Sequence, residues 1–298
     1  MALMTQANFN YIVQKDLSAV FAAEYGDFDT MLPEIYTVKT PDQAIVYELL
    51  LGDMGGVSVF DGEVYYDESK QSYRKSVEGV QYSLGVKVTK RLRSNDLYGV
   101  VKQQVALIAD KFRHKRESIG ADYFNNAFSS ATVADGQVLC YSGHTSDVIA
   151  ATQSNAGSSA LTPTSLATAR LAMIAFKTNN GGTVSGNFPD MLLVPSALED
   201  TALELIKSTL KTGTANNDIN VHQGRYKVVV WHNWLSDSNN WFLINSKMMK
   251  KYMSFYEWNP TEFFYAGEMD TITSKHAGYM DVNVSTPEWR WVYGSAVS

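Results

Sequence analysis

The sequence predicts an α+β protein in which a long helix accompanies extended strands. Apolar residues alternate with other residues over residues 82–88, which is the period of a half-buried strand, and recur at helical spacing over residues 97–119. Residues 162–250 mix short apolar runs with capped helices, and alternation returns at residues 280–293. Together these three patterns favour the α+β class.

Composition and charge narrow the possible functions before any motif is considered. Apolar residues make up 45% of the 298 residues and charged residues 19%, which is typical of a globular protein with a substantial core. The formal net charge of −6 argues against a protein built to bind nucleic acid tightly. The 17 Tyr, 13 Phe and 6 Trp exceed what a small core needs, and such residues are common both in cores and between subunits.

We find no membrane or export signal in the amino-acid sequence. No run of eighteen apolar residues occurs, and the first six residues lack the basic region of a signal peptide. Cys140 is the only cysteine, so no internal disulfide can form, and we expect it to be a small, half-buried thiol. The expected location is a reducing cytoplasm, without membrane contact.

The N-terminal segment has the pattern of an isolated amphipathic helix. Phe9, Val13, Leu17 and Val20 recur at helical spacing, and Gly26-Asp27 ends the pattern. Because a single helix ahead of a loop has little to pack against, we expect it to lie on the domain body or on a neighbouring copy.

Residues 61–78 predict a polar β-hairpin without an apolar face. Val64 and Val77 are its only aliphatic residues. Since an isolated hairpin is marginal in water, we expect this one to project from its domain and lie across a neighbouring subunit; a flexible surface loop is the alternative. The predicted inter-subunit contacts here are Tyr65, Tyr66, Tyr73, Arg74 and Lys75.

Basic residues concentrate in residues 87–116. This stretch holds nine Lys or Arg and two Asp, a local charge of +7, which leaves −13 for the rest of the chain. A solvated helix face is the common cause of such a run, and contact with nucleic acid is the alternative. We predict that Lys102, Arg113 and Arg116 pair with acidic groups of the same or an adjacent copy.

The block from residue 162 to residue 250 predicts a compact α/β unit. Thr162-Pro163 has the pattern of a helix start, and Ser196 with Glu199 has the pattern of a capping box. Strands are predicted over residues 191–194, 226–231 and 241–244.

Residues that could perform catalysis are scattered. The sequence contains no Walker-type glycine loop, dinucleotide fingerprint, paired zinc cysteines or helical histidine pair. His144 lies near Ser142 in the sequence and His232 lies beside Asn233, but no pattern places a third catalytic group with either histidine. We therefore predict no catalytic residue, no metal site and no cofactor.

Four segments, in this order, give the chain its resemblance to a known family. The first is Tyr47-Glu48-Leu49-Leu50-Leu51-Gly52, followed by the polar hairpin, and the second is Glu78-Gly79-Val80, leading through residues 84–88 to Asn95-Asp96. The third is Asp135-Gly136-Gln137, followed by Ser142-Gly143-His144. The fourth is residues 189–195, followed by residues 224–230. The chain resembles the major head subunit family of Mu-like phages and, more broadly, the Hong Kong 97-type phage major capsid fold. It departs from the family pattern at Thr145, where proline is expected.

The resemblance implies five regions and a shell-forming function. The regions are an N-terminal arm (1–45), an extended β-hairpin loop (46–82), a peripheral domain with a long spine helix (83–160), an axial domain (161–250) and return strands of the peripheral domain (251–298). The implied partners are further copies of the chain, in hexamers and pentamers of an icosahedral virion shell around double-stranded DNA. Separate scaffolding, portal and decoration proteins are also implied, with assembly in the host bacterial cytoplasm.

Three other functions stay open from the sequence. The first is an encapsulin-type compartment that holds a cargo enzyme. The second is an α+β hydrolase that uses His144 or His232. The third is a carbohydrate-binding phage protein that uses Trp289 and Trp291.

Overall fold

A computed structural model of the chain describes residues 17–26, 30–51, 57, 59–64, 66, 71–95, 99–145, 152–210, 219–268 and 272–297. The helices are α1 (17–26), α2 (Leu32–Ile35), α3 (Lys90–Ser94), α4 (Val100–Asn125), α5 (Pro163–Ile174), α6 (Glu199–Lys207) and α7 (Ser246–Tyr252). The strands are β1 (Thr37–Lys39), β2 (Ile45–Leu51), β3 (Gln71–Glu78), β4 (Val80–Thr89), β5 (Ala156–Gly157), β6 (Met191–Val194), β7 (Lys227–Val230), β8 (Trp241–Ile244), β9 (Ser254–Glu268), β10 (Thr273–Ser285) and β11 (Val292–Ser295).

A four-stranded sheet in the order β1-β9-β10-β4 carries the long helix α4. Along β10 every second residue is buried, as the alternation of Met280 and Val282 predicted. The helix meets this sheet closely at Gly278, where an added Cβ would lie 2.4 Å from the ring of Phe112. Glycine at that strand position therefore allows the helix to approach the sheet.

A five-stranded sheet in the order β5-β11-β8-β6-β7 forms the second layer. The strands β6 and β7 are parallel and are joined through α6, which is the βαβ pattern expected from the sequence. All four residues of β6 and all four of β8 are buried, as expected for short apolar runs between helices. The predictions for strands 191–194 and 241–244 are confirmed at their exact bounds.

The hairpin is longer than the sequence predicted, and its first strand lies elsewhere. Strand β3 pairs with β2, from Ile45 opposite Glu78 to Leu51 opposite Gln71, so the prediction of a hairpin within residues 61–78 is wrong. The physical reason is that the apolar run of β2 supplies the β propensity that the acidic, glycine-containing stretch after Phe60 lacks. The prediction of an extended β-hairpin loop is confirmed.

The predicted capping box at Ser196 is also wrong, because a short 3₁₀ turn (Ser196–Leu198) precedes α6 and no side chain caps this helix. The hydroxyl of Ser196 lies 3.2 Å from Nδ1 of His232 instead. At α5, by contrast, Thr162 accepts a hydrogen bond from the backbone N–H of Ser165, so the predicted cap is confirmed.

Aromatic side chains join the two sheets at the end of the spine helix. Phe124 makes edge contacts with Trp231, Phe242 and Trp291, with ring centroids 5.4 to 6.3 Å apart. Part of the aromatic surplus therefore lies in the core of the chain itself. In the arm, Phe21 of α1 is buried and stacks on Phe263 of β9, so the described part of the arm helix packs on its own domain body.

The chain passes from one sheet to the other through residues 286–291, defined here as the crossing segment. Strand β10 ends in the four-stranded sheet, whereas β11 pairs with β8 in the five-stranded sheet. Strand β11 therefore lies in the five-stranded sheet and apart from β9 and β10, although residues 251–298 were grouped together above as return strands of the peripheral domain. Arg290 in the crossing segment pairs with Glu288 and donates hydrogen bonds to Asn179 and to the carbonyl oxygen of Lys177.

Candidate assembly surfaces

Glu48 anchors the base of the hairpin against the four-stranded sheet. It is 7% exposed, and its two carboxylate oxygens accept hydrogen bonds from the hydroxyls of Tyr256 (2.9 Å) and Ser285 (2.7 Å). Burial, followed by this carboxylate, raises the pKa of Tyr256 above its usual value. Sequence reasoning missed Glu48, although a single carboxylate within the apolar run of β2 is a signal for such an anchor.

Three predicted contact residues of the hairpin contact their own chain at this base. Lys75 lies opposite Glu48 and donates a hydrogen bond to the carbonyl oxygen of Thr132 at 2.6 Å. Burial lowers the pKa of Lys75 to about 8, against the opposing effect of Glu48. The Tyr73 hydroxyl donates to the carbonyl oxygen of Thr145, and the Arg74 guanidinium lies 4.9 Å from the ring centroid of Tyr47. Contact of these residues with a neighbouring subunit stays a prediction.

The tip of the hairpin presents apolar side chains to solvent. The exposed fractions are 105% for Val57, 92% for Val59, 71% for Phe60 and 85% for Tyr66. Large exposed apolar side chains concentrated in one short segment make that segment a candidate interaction surface. Tyr65, another predicted contact, lies outside the described residues.

The predicted basic contacts of the spine helix α4 fall into two groups. Arg113 forms an ion pair with Asp110 on the same helix, and Arg116 forms one with Glu257 of β9. The hydroxyl of Tyr25 also accepts a hydrogen bond from Arg116, at 3.1 Å. Lys102 is exposed and has no ion-pair partner among the described residues. The two arginines therefore have acidic partners in their own chain, and Lys102 is available to another molecule.

His144 is enclosed and has a structural environment. Its Nδ1 lies 2.7 Å from Asp135 and its Nε2 lies 3.1 Å from the amide oxygen of Asn155, while the ring stacks on Trp289 at 4.1 Å. Both ring nitrogens are thus occupied, and the residue is 1% exposed. A substrate proton cannot reach this histidine as it is placed here.

His232 is exposed but is not arranged for proton relay. Ser196 and the carboxylate of Glu199 both face the same ring nitrogen, Nδ1, at 3.2 and 4.0 Å. A relay of the serine-histidine-acid kind needs the serine on one ring nitrogen and the acid on the other. The arrangement around His232 therefore gives no support to the hypothesis of a hydrolase function.

The remaining sequence candidates are buried. Trp289 and Trp291 are 3% and 0% exposed, so they cannot form a carbohydrate-binding face. Burial raises the pKa of the Cys140 thiol well above its usual value, which keeps the thiol protonated and unreactive. Within the part of the chain that the structure describes, no helix is long and apolar enough to cross a membrane, and no group of three or more His, Cys, Asp or Glu is placed to bind a metal ion.

The chain has a long helix against a four-stranded sheet, a second sheet and a long hairpin, and its fold is similar to that of solved capsid proteins of the Hong Kong 97 type. The capsid of a native GTA particle is 12% identical, with a TM-score of 0.58 over 90% of this chain and 89% of that chain. The bacteriophage JBD30 capsid is 13% identical, with a TM-score of 0.58 over 79% and 100%. A virus-like particle from Pyrococcus furiosus is 9% identical, with a TM-score of 0.54 over 94% and 98%.

The chain belongs to the phage capsid protein family, whose model matches residues 73–295. It is a structural major capsid protein of the virion, and its copies assemble into a shell. No curated protein matches the sequence. The matching family is one of phage capsids, which favours this function over the encapsulin-type compartment.

Proposed function

We propose that this chain forms the hexamers and pentamers of an icosahedral shell around phage double-stranded DNA. Assembly takes place in the cytoplasm of the host bacterium, with separate scaffolding, portal and decoration proteins, and the chain performs no catalysis. The closer relation to Mu-like head subunits belongs to this proposal and rests on the ordered sequence motifs between residues 45 and 245.

The contrast within the long hairpin carries the proposal. Its base is fixed by Glu48 and by the buried Val77, whereas most of the described residues of its tip are exposed apolar side chains. A subunit that functioned alone would expose apolar surface there without any return in stability. Contact with a neighbouring copy would bury that surface in every subunit of the shell.

The proposed contacts between copies combine the hairpin with the spine helix. The hairpin contributes Tyr65 and Tyr66 at its tip and Tyr73, Arg74 and Lys75 near its base. The spine helix contributes Lys102 and, beyond their pairs within the chain, Arg113 and Arg116. Charged contacts of this kind set register between subunits more than affinity.

Electron microscopy of the purified chain, expressed with and without its scaffolding protein, tests the proposal. We expect closed shells or rings of six and five subunits, and DNA within heads isolated from infected cells. A chain that sediments as a 33 kDa monomer under all these conditions would contradict the proposal, and heads filled with an enzyme in place of DNA would support the compartment function instead.

A further inference from the structure

Strand β4 forms an edge of the four-stranded sheet that no other described strand covers. The order of this sheet is β1-β9-β10-β4, so β4 pairs with β10 on one side only. That pairing runs without a bulge over all 10 residues of the strand, from Val80 opposite Val282 to Thr89 opposite Thr273. A long, exposed edge strand is a template on which another strand can pair.

The backbone groups on the open side of β4 belong to its odd-numbered residues. The backbone N–H of Lys90 donates to the carbonyl oxygen of Ile272 at 3.2 Å, and these two residues continue the register of β4 with β10. Since hydrogen-bonded and non-hydrogen-bonded pairs alternate in an antiparallel ladder, the even-numbered residues of β4 bond to β10. The odd-numbered residues direct their N–H and C=O groups away from β10, and no described residue bonds to these groups inside the strand. They are Gln81, Ser83, Gly85 and Lys87.

The features that protect other edges of the molecule are scarce in β4. The remaining outer strands of the two larger sheets are short, with 3 residues in β1, 2 in β5 and 4 in β7. The hairpin strands β2 and β3 contain charged residues and a register irregularity between Leu50 and Leu51. Strand β4 has no proline, and Lys87 is its one charged residue. Because short strands, bulges, prolines and charges prevent pairing at edges, their scarcity indicates that this edge is paired in the assembled protein.

Exposed apolar side chains lie beside this edge on the face of the sheet that carries the spine helix. Leu84 lies opposite Gly278, where Phe112 of α4 meets the sheet, so the even-numbered residues of β4 share that face. Val88 is fully buried there, but Val80 is 44% exposed and Leu84 is 45% exposed. The spine helix therefore leaves part of the apolar face of β4 uncovered.

The even-numbered residues of β4 are complementary to themselves in antiparallel pairing. A two-fold axis at Leu84 places this residue opposite the same residue of a second copy. It also places Tyr82 opposite Val86 and Val80 opposite Val88. Because the even-numbered residues do not bond across the open edge, they form the non-hydrogen-bonded pairs, in which side chains lie closest. Every such pair brings two apolar side chains together.

The odd-numbered residues fit the same two-fold arrangement. Gln81 comes opposite Lys87, whose ammonium group can donate to the side-chain carbonyl oxygen, and Ser83 comes opposite Gly85. These residues have the open backbone groups, and each such pair would exchange two hydrogen bonds. An axis at Lys87 would instead place two like charges opposite each other, which is unfavourable.

We propose that β4 pairs antiparallel with β4 of a second copy of this chain across a two-fold axis at Leu84, so that two four-stranded sheets become one. The inference rests on the proposed shell function and adds a contact that neither the hairpin nor the solvent face of the spine helix supplies. Pairing satisfies the open backbone groups and removes the exposed side chains of Val80 and Leu84 from water. The same surface of both copies takes part, as in any two-fold contact.

Disulfide cross-linking in assembled shells tests the register. We expect Leu84→Cys to give covalent dimers on mild oxidation, because the two substituted positions lie about 4.5 Å apart between Cα atoms, which a disulfide spans. Val86→Cys alone is the matched control and should stay monomeric on a non-reducing gel. Tyr82→Cys combined with Val86→Cys should again give dimers. Cys140 is 2% exposed and so is not accessible for cross-linking.

A second variant tests the backbone bonds. Ser83→Pro removes an N–H group from the open edge and leaves the bonds to β10 in place. Added to Leu84→Cys, it should lower the dimer yield about 10-fold or more, whereas Ser83→Thr, which keeps the N–H group, should leave the yield unchanged. If Ser83→Pro fails to fold, the comparison of Leu84→Cys with Val86→Cys still decides the question.

The outcomes separate this pairing from the proposed function. Normal shells in which Leu84→Cys gives no dimers would overturn the pairing alone, and equal cross-linking of Leu84→Cys and Val86→Cys would overturn its register. Cross-links of Leu84→Cys that appear only when Leu49→Cys is also present would identify the hairpin of a neighbour as the partner, which likewise overturns the pairing. Absence of shells from the unaltered chain would contradict the proposed function, and dimers of Leu84→Cys in the soluble protein would then decide the pairing by themselves.

Discussion

At its base the long hairpin buries a carboxylate among strands of its own subunit, whereas at its tip it exposes valine, phenylalanine and tyrosine to solvent. Both regions belong to one hairpin, yet Glu48 is 7% exposed and Val59 is 92% exposed. In this hairpin a charged side chain is buried and apolar side chains are exposed, which is the reverse of the usual pattern in a globular protein. The base therefore contributes to folding of the subunit, whereas we propose that the tip contributes to a contact that forms only on assembly.

Removal of the tip is expected to have the largest effect, and that effect is on assembly alone. Replacing residues 57–66 by two glycines should leave the free energy of unfolding within about 0.5 kcal/mol of the original, because the described tip residues are exposed in their own subunit. Shells should no longer form. Chemical denaturation and negative-stain microscopy measure the two quantities.

Leu107→Ser and Leu171→Ser are suitable controls for that deletion, since both are exposed apolar residues outside the hairpin. We expect both variants to fold. Normal shells from the deletion variant, or its failure to fold, would show that tip and base do not differ as described.

Loss of the anchor at the base is expected to reduce stability. Glu48→Ala leaves the hydroxyls of Tyr256 and Ser285 without their acceptor, and we expect a loss of about 2–4 kcal/mol in the free energy of unfolding. Leu49→Ala, the next residue and 54% exposed, is the matched control and should change stability by about 0.5 kcal/mol or less. Equal effects of the two substitutions in urea denaturation would refute the anchor.

The smallest expected effect is a pH dependence from Lys75. Its folded-state pKa of about 8 lies below the ordinary value of 10.5, so the folded chain disfavours the charged form. The contribution of Lys75 is therefore most favourable above the ordinary pKa and is lost as the pH falls toward 8, below which it stays constant. Urea denaturation between pH 8 and 9.5 should give a stability that rises with pH more steeply in the original chain than in Lys75→Met. Parallel curves for the two proteins would contradict this.

Local patterns predicted those parts of the fold whose signals are contained in one short stretch. Strands β6 and β8 were found at their bounds because each is an apolar run closed by a breaker or a turn, and Thr162 was identified as a cap from its place before Pro163. The spine helix was found because its apolar stripe is long, with Val101, Val105, Ile108 and Phe112 all buried.

Contacts between distant segments were not predictable in this way. The pairing partners of β3 lie twenty or more residues upstream, so composition within residues 61–78 could not reveal the pairing. Ser196 has the sequence of a capping residue, but a histidine 36 positions away competes for its hydroxyl. In each case the tertiary neighbour, absent from the local sequence, decided the outcome.

The crossing segment at residues 286–291 has a mechanical consequence. Thr286, Glu288, Trp289, Arg290 and Trp291 are all buried there, and Trp289 has the ring of His144 stacked on it and the Arg290 guanidinium 4.7 Å from its centroid. A hinge requires exposed backbone that can change its dihedral angles without breaking contacts. We therefore expect the crossing segment to connect the two sheets rigidly, so that a force on one sheet is transmitted to the other. We therefore expect changes of curvature in the shell to be taken up at the margins of the subunit and not between its two sheets.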